Sequence, residues 1–460
     1  MAGFRPRHHS LALGELAGRD RAARRRAALQ TAGLSALGAA TSFCSFTTSP
    51  PAQAAPLPVQ PVDEAPPSVP VSHSEFQAAL ASLAPSAGSL ASIKQLLAET
   101  AWACVRDSGA WVVPSNSYPE FLFCRDSFWL AATLRNPSLS KAILDQLRGD
   151  QAGNPDGHIA TALQHDGAKP PPRDRDDEST LLYVLHNYLA YKLGVTISRE
   201  SLQRAYQYIA GHVADGRYVT TGETRTGPLF SGSAELGTRH YWADTYRPAG
   251  RPEAVPAVVA YNQGLYCLAL RCLEAMGIRQ SAEDRFLAGV AYARLRNVRD
   301  GRSLPQIEGS SAVDVSALAP EALSLYLFDA PMLSGAVVDA TVERLAKARY
   351  ADGSFLGFKV LSDVTGAYRP DAEFSGSPED SPGNYHNGGS WLLYDALALY
   401  AAARHDVAGC VDLFSQRLLS EVRDSRASHE FISTNPRTLG LSQPRRDGYG
   451  WNAFVMSLLP

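Results

Sequence analysis

Tyr385-His386-Asn387-Gly388-Gly389-Ser390-Trp391-Leu392-Leu393-Tyr394-Asp395-Ala396-Leu397-Ala398-Leu399-Tyr400 passes from a glycine-containing polar loop into a stretch whose apolar side chains recur at three- and four-residue spacing. That period is helical, and it predicts a helix over 388–404. The paired glycines let the backbone approach a neighbour closely where the loop enters the helix.

Working outward, the same period dominates from Ser89 onward, and strand-like alternation is almost absent. Further candidate helices fall at 90–105, 125–135, 138–148, 178–193, 199–214, 255–276, 282–297, 315–329, 335–349, 408–422 and 448–458. Two kinds of connection join them. Short links, such as Asn136-Pro137 and the turns at 194–198 and 277–281, make antiparallel neighbours into helical hairpins. Long Gly/Pro/Asp-rich loops cover 150–177, 215–253, 350–387 and 423–447, and loops beyond about 12–15 residues in a compact domain usually carry function. The expected class is all-α: an (α/α)6 toroid of six helical hairpins with its long loops on one face. An open α-solenoid would give a similar alternation, but no fixed-period repeat is present.

Length and composition agree with one large globular domain. The chain has 460 residues, 45% hydrophobic and 19% charged, with a formal charge of -3. Interspersed acids and bases leave no footprint for nucleic acid or an anionic membrane, and a neutral partner such as a sugar fits better. At the N-terminus, Arg24-Arg25-Arg26 precede an uncharged Ala/Leu/Gly-rich stretch at 27–46, and Ala52-Gln53-Ala54 offers a small-residue cleavage pattern. Residues 1–54 resemble a twin-arginine signal, with a Sec signal as the alternative. The Pro-rich residues 55–72 read as a linker and 73–460 as the functional domain. An exported protein, periplasmic or secreted and free of the membrane after cleavage, is expected. Cys104, Cys124, Cys267, Cys272 and Cys410 form no C-x-x-C pair and read as buried thiols.

Chemistry concentrates where polar groups mix with aromatics: Arg125-Asp126-Ser127-Phe128-Trp129, His240-Tyr241-Trp242-Ala243-Asp244, Tyr385 to Trp391, and Asp447-Gly448-Tyr449-Gly450-Trp451-Asn452. Sugars present apolar faces that stack on rings, and hydroxyls that pair with carboxylates, amides and arginine. These segments, with His429-Glu430-Phe431 and Asn435-Pro436-Arg437-Thr438, resemble in order the motifs of α/α-toroid glycosidases: glycoside hydrolase family 63, the alkaline/neutral invertases and the amylo-1,6-glucosidases. The resemblance covers 118–454. It implies an inverting hydrolase of an α-glucoside or related small saccharide, with Asp244 as general acid and Glu430 as general base. It also implies sugar contacts from Arg125, Asp126, Phe128, Trp129, His158, Trp242, His386, Asn387, Trp391, Tyr449 and Trp451.

Taken alone, the same residues have plainer readings. Asp244 would cap a helix or pair with Arg247, Glu430 would sit solvated near Arg423 or Arg426, and Asp126 would be an N-cap. Asp176-Asp177-Glu178 reads chiefly as a cap favouring a helix dipole, with Asp177 a lesser candidate for lining a pit among the long loops of the toroid. No H-E-x-x-H, Walker or Rossmann motif is present, so neither metal nor cofactor is expected. A disaccharide phosphorylase, with Arg437, Arg445 and Arg446 at a phosphate site, a sugar epimerase, and a non-catalytic carbohydrate-binding toroid are the alternatives.

Overall fold

The computed structural model describes residues 70–83, 87–106, 111–165, 177–220, 222–225, 235–239, 242–243, 257–374, 378–423, 428–440 and 448–460. The chain divides into two compact units, Met1–Val62 and Asp63–Pro460, and all described residues belong to the second. The signal expected at 1–54 lies outside the described residues, as does the linker up to residue 69.

Twelve α-helices are present among the described residues. They are α1 (His73–Leu83), α2 (Ala87–Ala103), α3 (Cys124–Leu134), α4 (Pro137–Gln151), α5 (Asp177–Lys192), α6 (Arg199–Ala210), α7 (Ala260–Ala275), α8 (Ala282–Arg294), α9 (Ala319–Phe328), α10 (Gly335–Arg344), α11 (Leu392–Arg404) and α12 (Cys410–Arg423). A 3-10 helix at Gly450–Leu458 ends the chain.

The inner elements close a ring: α3 packs on α5, α5 on α7, α7 on α9, α9 on α11, α11 on the C-terminal 3-10 helix, and that helix back on α3. Outer helices α4, α6, α8, α12 and α2 back their inner partners, and α10 lies against α11. The ring therefore closes between its first hairpin element and its last, as a six-hairpin toroid requires and an open solenoid does not. Inner helices are buried along most of their length, and every residue of α11 from Leu392 to Arg404 is buried. Each fully buried Leu or Val contributes roughly 1.5–3 kcal/mol. Outer helices bury one stripe, such as Leu139, Ile143, Leu144 and Leu147 on α4.

Short antiparallel pairs knit the loops at the N-terminal ends of the inner helices. Phe121–Phe123 pairs with Ala162–Gln164, and Ala312–Asp314 with Leu361–Asp363. An isolated bridge ties Ser390 to Ile432.

Several boundaries differ from expectation for local reasons. Helix α11 begins at Leu392 rather than 388, because Gly388 stands at φ 93° in the left-handed region and a Cβ there would meet the Tyr368 ring at 2.6 Å. The helix expected at 315–329 is a 3-10 turn, Val315–Leu318, capped by Asp314, followed by α9 with Pro320 in its first turn. The last element is 3-10 rather than α, and α1 was not anticipated. All five described cysteines are free and buried. No helix among the described residues is long and apolar enough to cross a membrane.

Candidate active site

The first turns of the inner helices converge. Helix α3 begins at Cys124 without a side-chain cap, its Cys124 N–H held by the Thr161 carbonyl at 2.9 Å. Asp126 is thus not the N-cap, a place that Phe123 takes. It is the third helical residue, buried, and its Oδ1 has no hydrogen-bond partner. Burial pushes the Asp126 carboxyl up to about 6, with Arg125 offsetting part of the rise.

Arg125 reaches across the ring. Its Nη1 donates to Glu178 Oε2 on α5 and to the Trp242 carbonyl, both at 3.2 Å, and its guanidinium stacks 5.2 Å from the Trp451 ring centroid. Glu178, fully buried, also accepts from Tyr261 Oη on α7 at 2.6 Å. Burial and then the Glu178 charge hold the Tyr261 hydroxyl well above its ordinary range, so it stays a donor.

Around this polar group stands an aromatic cluster. The Trp242 ring lies 4.2 Å from Tyr394, 5.2 Å from Trp391 and 5.1 Å from His386. His386 stacks on Trp391 at 5.4 Å and 13°, and Trp391 meets Trp451 at 5.5 Å. Tyr449 sits 5.2 Å from Trp451. Its hydroxyl is pushed well above the usual range by burial first, then by the charges of Glu430 and Asp126. Glu430 is 2% exposed, so the solvated reading fails, and Phe431 beside it stacks 5.8 Å from Trp391. Asn387 donates to the Arg369 carbonyl at 3.2 Å and to Asp371 at 3.3 Å, while its Oδ1 is unpartnered. The Trp451 indole N–H is unpartnered too. Asp126 Oδ1, Asn387 Oδ1 and the Trp451 N–H are thus buried without a hydrogen-bond partner.

The structure thus brings together Arg125, Asp126, Trp242, His386, Trp391, Glu430, Tyr449 and Trp451, with Asn387 adjoining His386. It places three expected sugar-binding residues elsewhere. Phe128 packs toward His186 and Trp129 against Phe454. His158 hydrogen-bonds Asp156 Oδ1 at 2.6 Å and touches Tyr208 at 5.9 Å. Asp244 lies outside the described residues, as do Arg445 and Arg446, while Arg437 is exposed.

Sequence reading gave no place in the site to Glu178, Tyr261 or Tyr394. Asp177, the lesser pit candidate, instead accepts from Tyr208 at 2.9 Å on the outer helix α6. The available signal was position: like Arg125 and Trp391, Glu178 stands where a long loop becomes an inner helix. Among the described residues, no group of three or more His, Cys, Asp or Glu could hold a metal ion.

No protein-family model and no curated protein matches the sequence. Solved structures do match. A wild-type glycosidase aligns with TM-score 0.53 at 14% identity, covering 82% of this chain and 100% of that one. A variant of a glycosidase in complex with glucose gives the same values. A GH63 mannosylglycerate hydrolase from Thermus thermophilus aligns with TM-score 0.48 at 13% identity, covering 80% of this chain and 99% of that one. The glycosidase likeness establishes the fold: the closed six-hairpin ring is that of a solved glycosidase.

Proposed function

We propose that this protein is an inverting glycoside hydrolase acting on an α-glucoside or related small saccharide. The observation that carries the reading is the buried cluster of Trp242, Trp391, Trp451 and Tyr449 bordered by Arg125, Asp126 and Glu430. Rings of that kind stack on sugar C–H faces, and carboxylates and arginine pair with sugar hydroxyls. Solved structures that share the fold include glycosidases, one of them in complex with glucose.

In this mechanism Glu430 takes a proton from water as the water oxygen attacks the anomeric carbon. Asp244, two residues beyond the anchored Trp242, gives its proton to the departing glycosidic oxygen, and the anomeric configuration inverts. Such a pair works with its carboxyls about 6.5–9.5 Å apart, leaving room for the water. Tyr449, its hydroxyl kept protonated chiefly by burial, is assigned the orienting of that carboxylate or the water.

The two roles fail differently. Asp244→Asn is expected to abolish cleavage of ordinary saccharides yet spare glycosyl fluorides, whose leaving group needs no proton. Glu430→Gln is expected to lose both, by on the order of 10²-fold or more. Rates on both substrate classes, with product anomer followed by NMR, decide. Near-normal turnover by folded Glu430→Gln would remove it as the base. Near-normal turnover by Asp244→Asn would remove it as the acid.

A further inference from the structure

Behind the aromatic cluster lies a second group of charges that the mechanism above does not use. Asp395 on α11 and Arg417 and Glu421 on α12 are each at most 2% exposed. Arg417 Nε donates to Asp395 Oδ2 at 2.8 Å, and its Nη1 donates to Glu421 Oε2 at 2.9 Å. Two carboxylates thus share one guanidinium. An assembly of this kind is costly to bury, and replacing such ions by apolar residues is often neutral or stabilising, so fold stability alone is a weak reason for its presence.

Its outer contacts show what it is attached to. Asp395 Oδ2 also accepts from Ser390 Oγ at 2.6 Å, and Asp395 Oδ1 accepts from the Phe358 N–H at 3.1 Å. Glu421 Oε1 accepts from the His429 N–H at 2.7 Å. Ser390 and Ile432 exchange two backbone hydrogen bonds, each 2.8 Å. The path therefore closes on itself: Asp395 to Ser390, across to Ile432, back along the chain through Phe431 and Glu430 to His429, then through Glu421 and Arg417 to Asp395. Glu430 is the carboxylate that this circuit encloses, held from one side at His429 and from the other at Ile432. The His429 carbonyl is fixed as well, by Asn452 Nδ2 at 2.5 Å. The circuit has no room for slack at Gly357, where a Cβ would stand 1.9 Å from Ser390 Oγ and 2.5 Å from Asp395 Oδ2.

We propose that Asp395, Arg417 and Glu421 form a positioning triad that aims Glu430 by clamping the backbone on both sides of it, at His429 directly and at Ile432 through Ser390. The proposal rests on the reading of Glu430 as general base. None of the three touches the reacting atoms. A misplacement of about 1 Å in a catalytic group costs on the order of 10²-fold in rate, and that sensitivity is what rigid anchoring on both flanks serves.

The test separates aim from stability. Glu421→Leu removes the acceptor for the His429 N–H, whereas Glu421→Gln keeps an oxygen at that place. Rates are measured on α-glucosyl fluoride and on the best-cleaved disaccharide of a panel, well below each variant's Tm, with near-UV circular dichroism confirming folded protein. The expected result is a kcat loss on the order of 10²-fold in Glu421→Leu, KM changed by less than about three-fold, and most of the loss recovered in Glu421→Gln. If Glu421→Leu does not fold, Ser390→Ala tests the other flank while leaving the buried ions paired, and the same split of kcat from KM is expected.

A folded Glu421→Leu or Ser390→Ala with kcat within about two-fold of wild type, or a Gln variant no better than Leu, overturns the proposal. Glu430→Gln run alongside keeps the two readings apart. If it is inactive while the flank variants are normal, only the positioning role falls. If it is active, the base assignment and the triad's role fall together.

Discussion

Inner and outer helices of the ring are built on different rules, and the difference locates the site. Outer helices α4, α6 and α8 open on side-chain caps: Asn136 accepts from the Leu139 N–H, Ser198 from Ser201, and Ser281 from Glu283 and Asp284. Inner helices α3, α7 and α11 and the C-terminal 3-10 helix open on Phe123, Val259, Trp391 and Tyr449 with no side-chain cap. Loop backbone does that work instead, as where the Gln306 carbonyl takes the Ala260 N–H at 3.0 Å. First-turn side chains on the inner ring are thereby released from capping, and they become Arg125, Asp126, Glu178, Tyr261 and Trp451. The contrast holds for these helices and not for every outer one, since α10 opens on Ser334 without a side-chain cap.

The sharpest break of that contrast is Arg417, an outer-helix residue that reaches inward. Arg417→Leu leaves Asp395 and Glu421 buried without a cation, and a loss of about 3–5 kcal/mol is expected. Lys141→Ala on α4 removes an ion pair of similar length, 2.6 Å, but with side chains 62% and 43% exposed, and less than about 1 kcal/mol is expected. Urea denaturation of the two variants measures the gap. Equal losses would show that burial is not what separates them.

A change of opposite sign is expected on the inner ring. The Asp126 carboxyl, ordinarily near 3.8, is pushed up to about 6 by burial. Between those values the folded chain keeps a proton that the unfolded chain has lost, so stability falls as pH rises through the window. At pH 7 the ionised form costs on the order of 2–3 kcal/mol. Asp126→Asn therefore should be more stable than wild type at pH 7 and lose that advantage near pH 4, while hydrolysis declines. Denaturation at the two pH values checks it, and a variant less stable at pH 7 would contradict the assignment.

Much of this was legible in the sequence, and the reason is the same contrast. Helical period and link length reveal hairpins because both are local, and outer caps such as Ser281 stand in plain view before an amphipathic run. Arg125, Trp391 and Trp451 were readable because loop aromatics beside charges are unusual. Glu178 was not, since an acid at a helix start reads as a dipole partner, and only the ring places it 3.2 Å from Arg125 on a different helix. His158, a polar residue in a long loop, is tied locally to Asp156, a contact that its loop position did not announce. The 3-10 form of Gly450–Leu458 was beyond reach, because it is set where the last element wedges between α2 and α3, with Gly450 so near Cys104 and Leu130 that a Cβ would stand 2.8 Å and 3.0 Å from them.

The smallest expected effect tests the outer half of the comparison. Ser281 accepts from the Glu283 N–H at 3.1 Å and from Asp284 at 3.4 Å, on an exposed turn at the ring's periphery. Ser281→Ala frees those amides to water, and the loss is expected to be about 1 kcal/mol, with Gly in the same place costing only a few tenths relative to Ser. Because α8 backs α7 from outside and contributes nothing to the aromatic cluster, kcat and KM should both stay at wild-type values. Paired measurements of Tm and of steady-state rates on the same preparation give the answer. A fall in kcat without a matching fall in Tm would mean that the outer layer transmits strain to the pit, and the division of labour between the two rings would have to be given up.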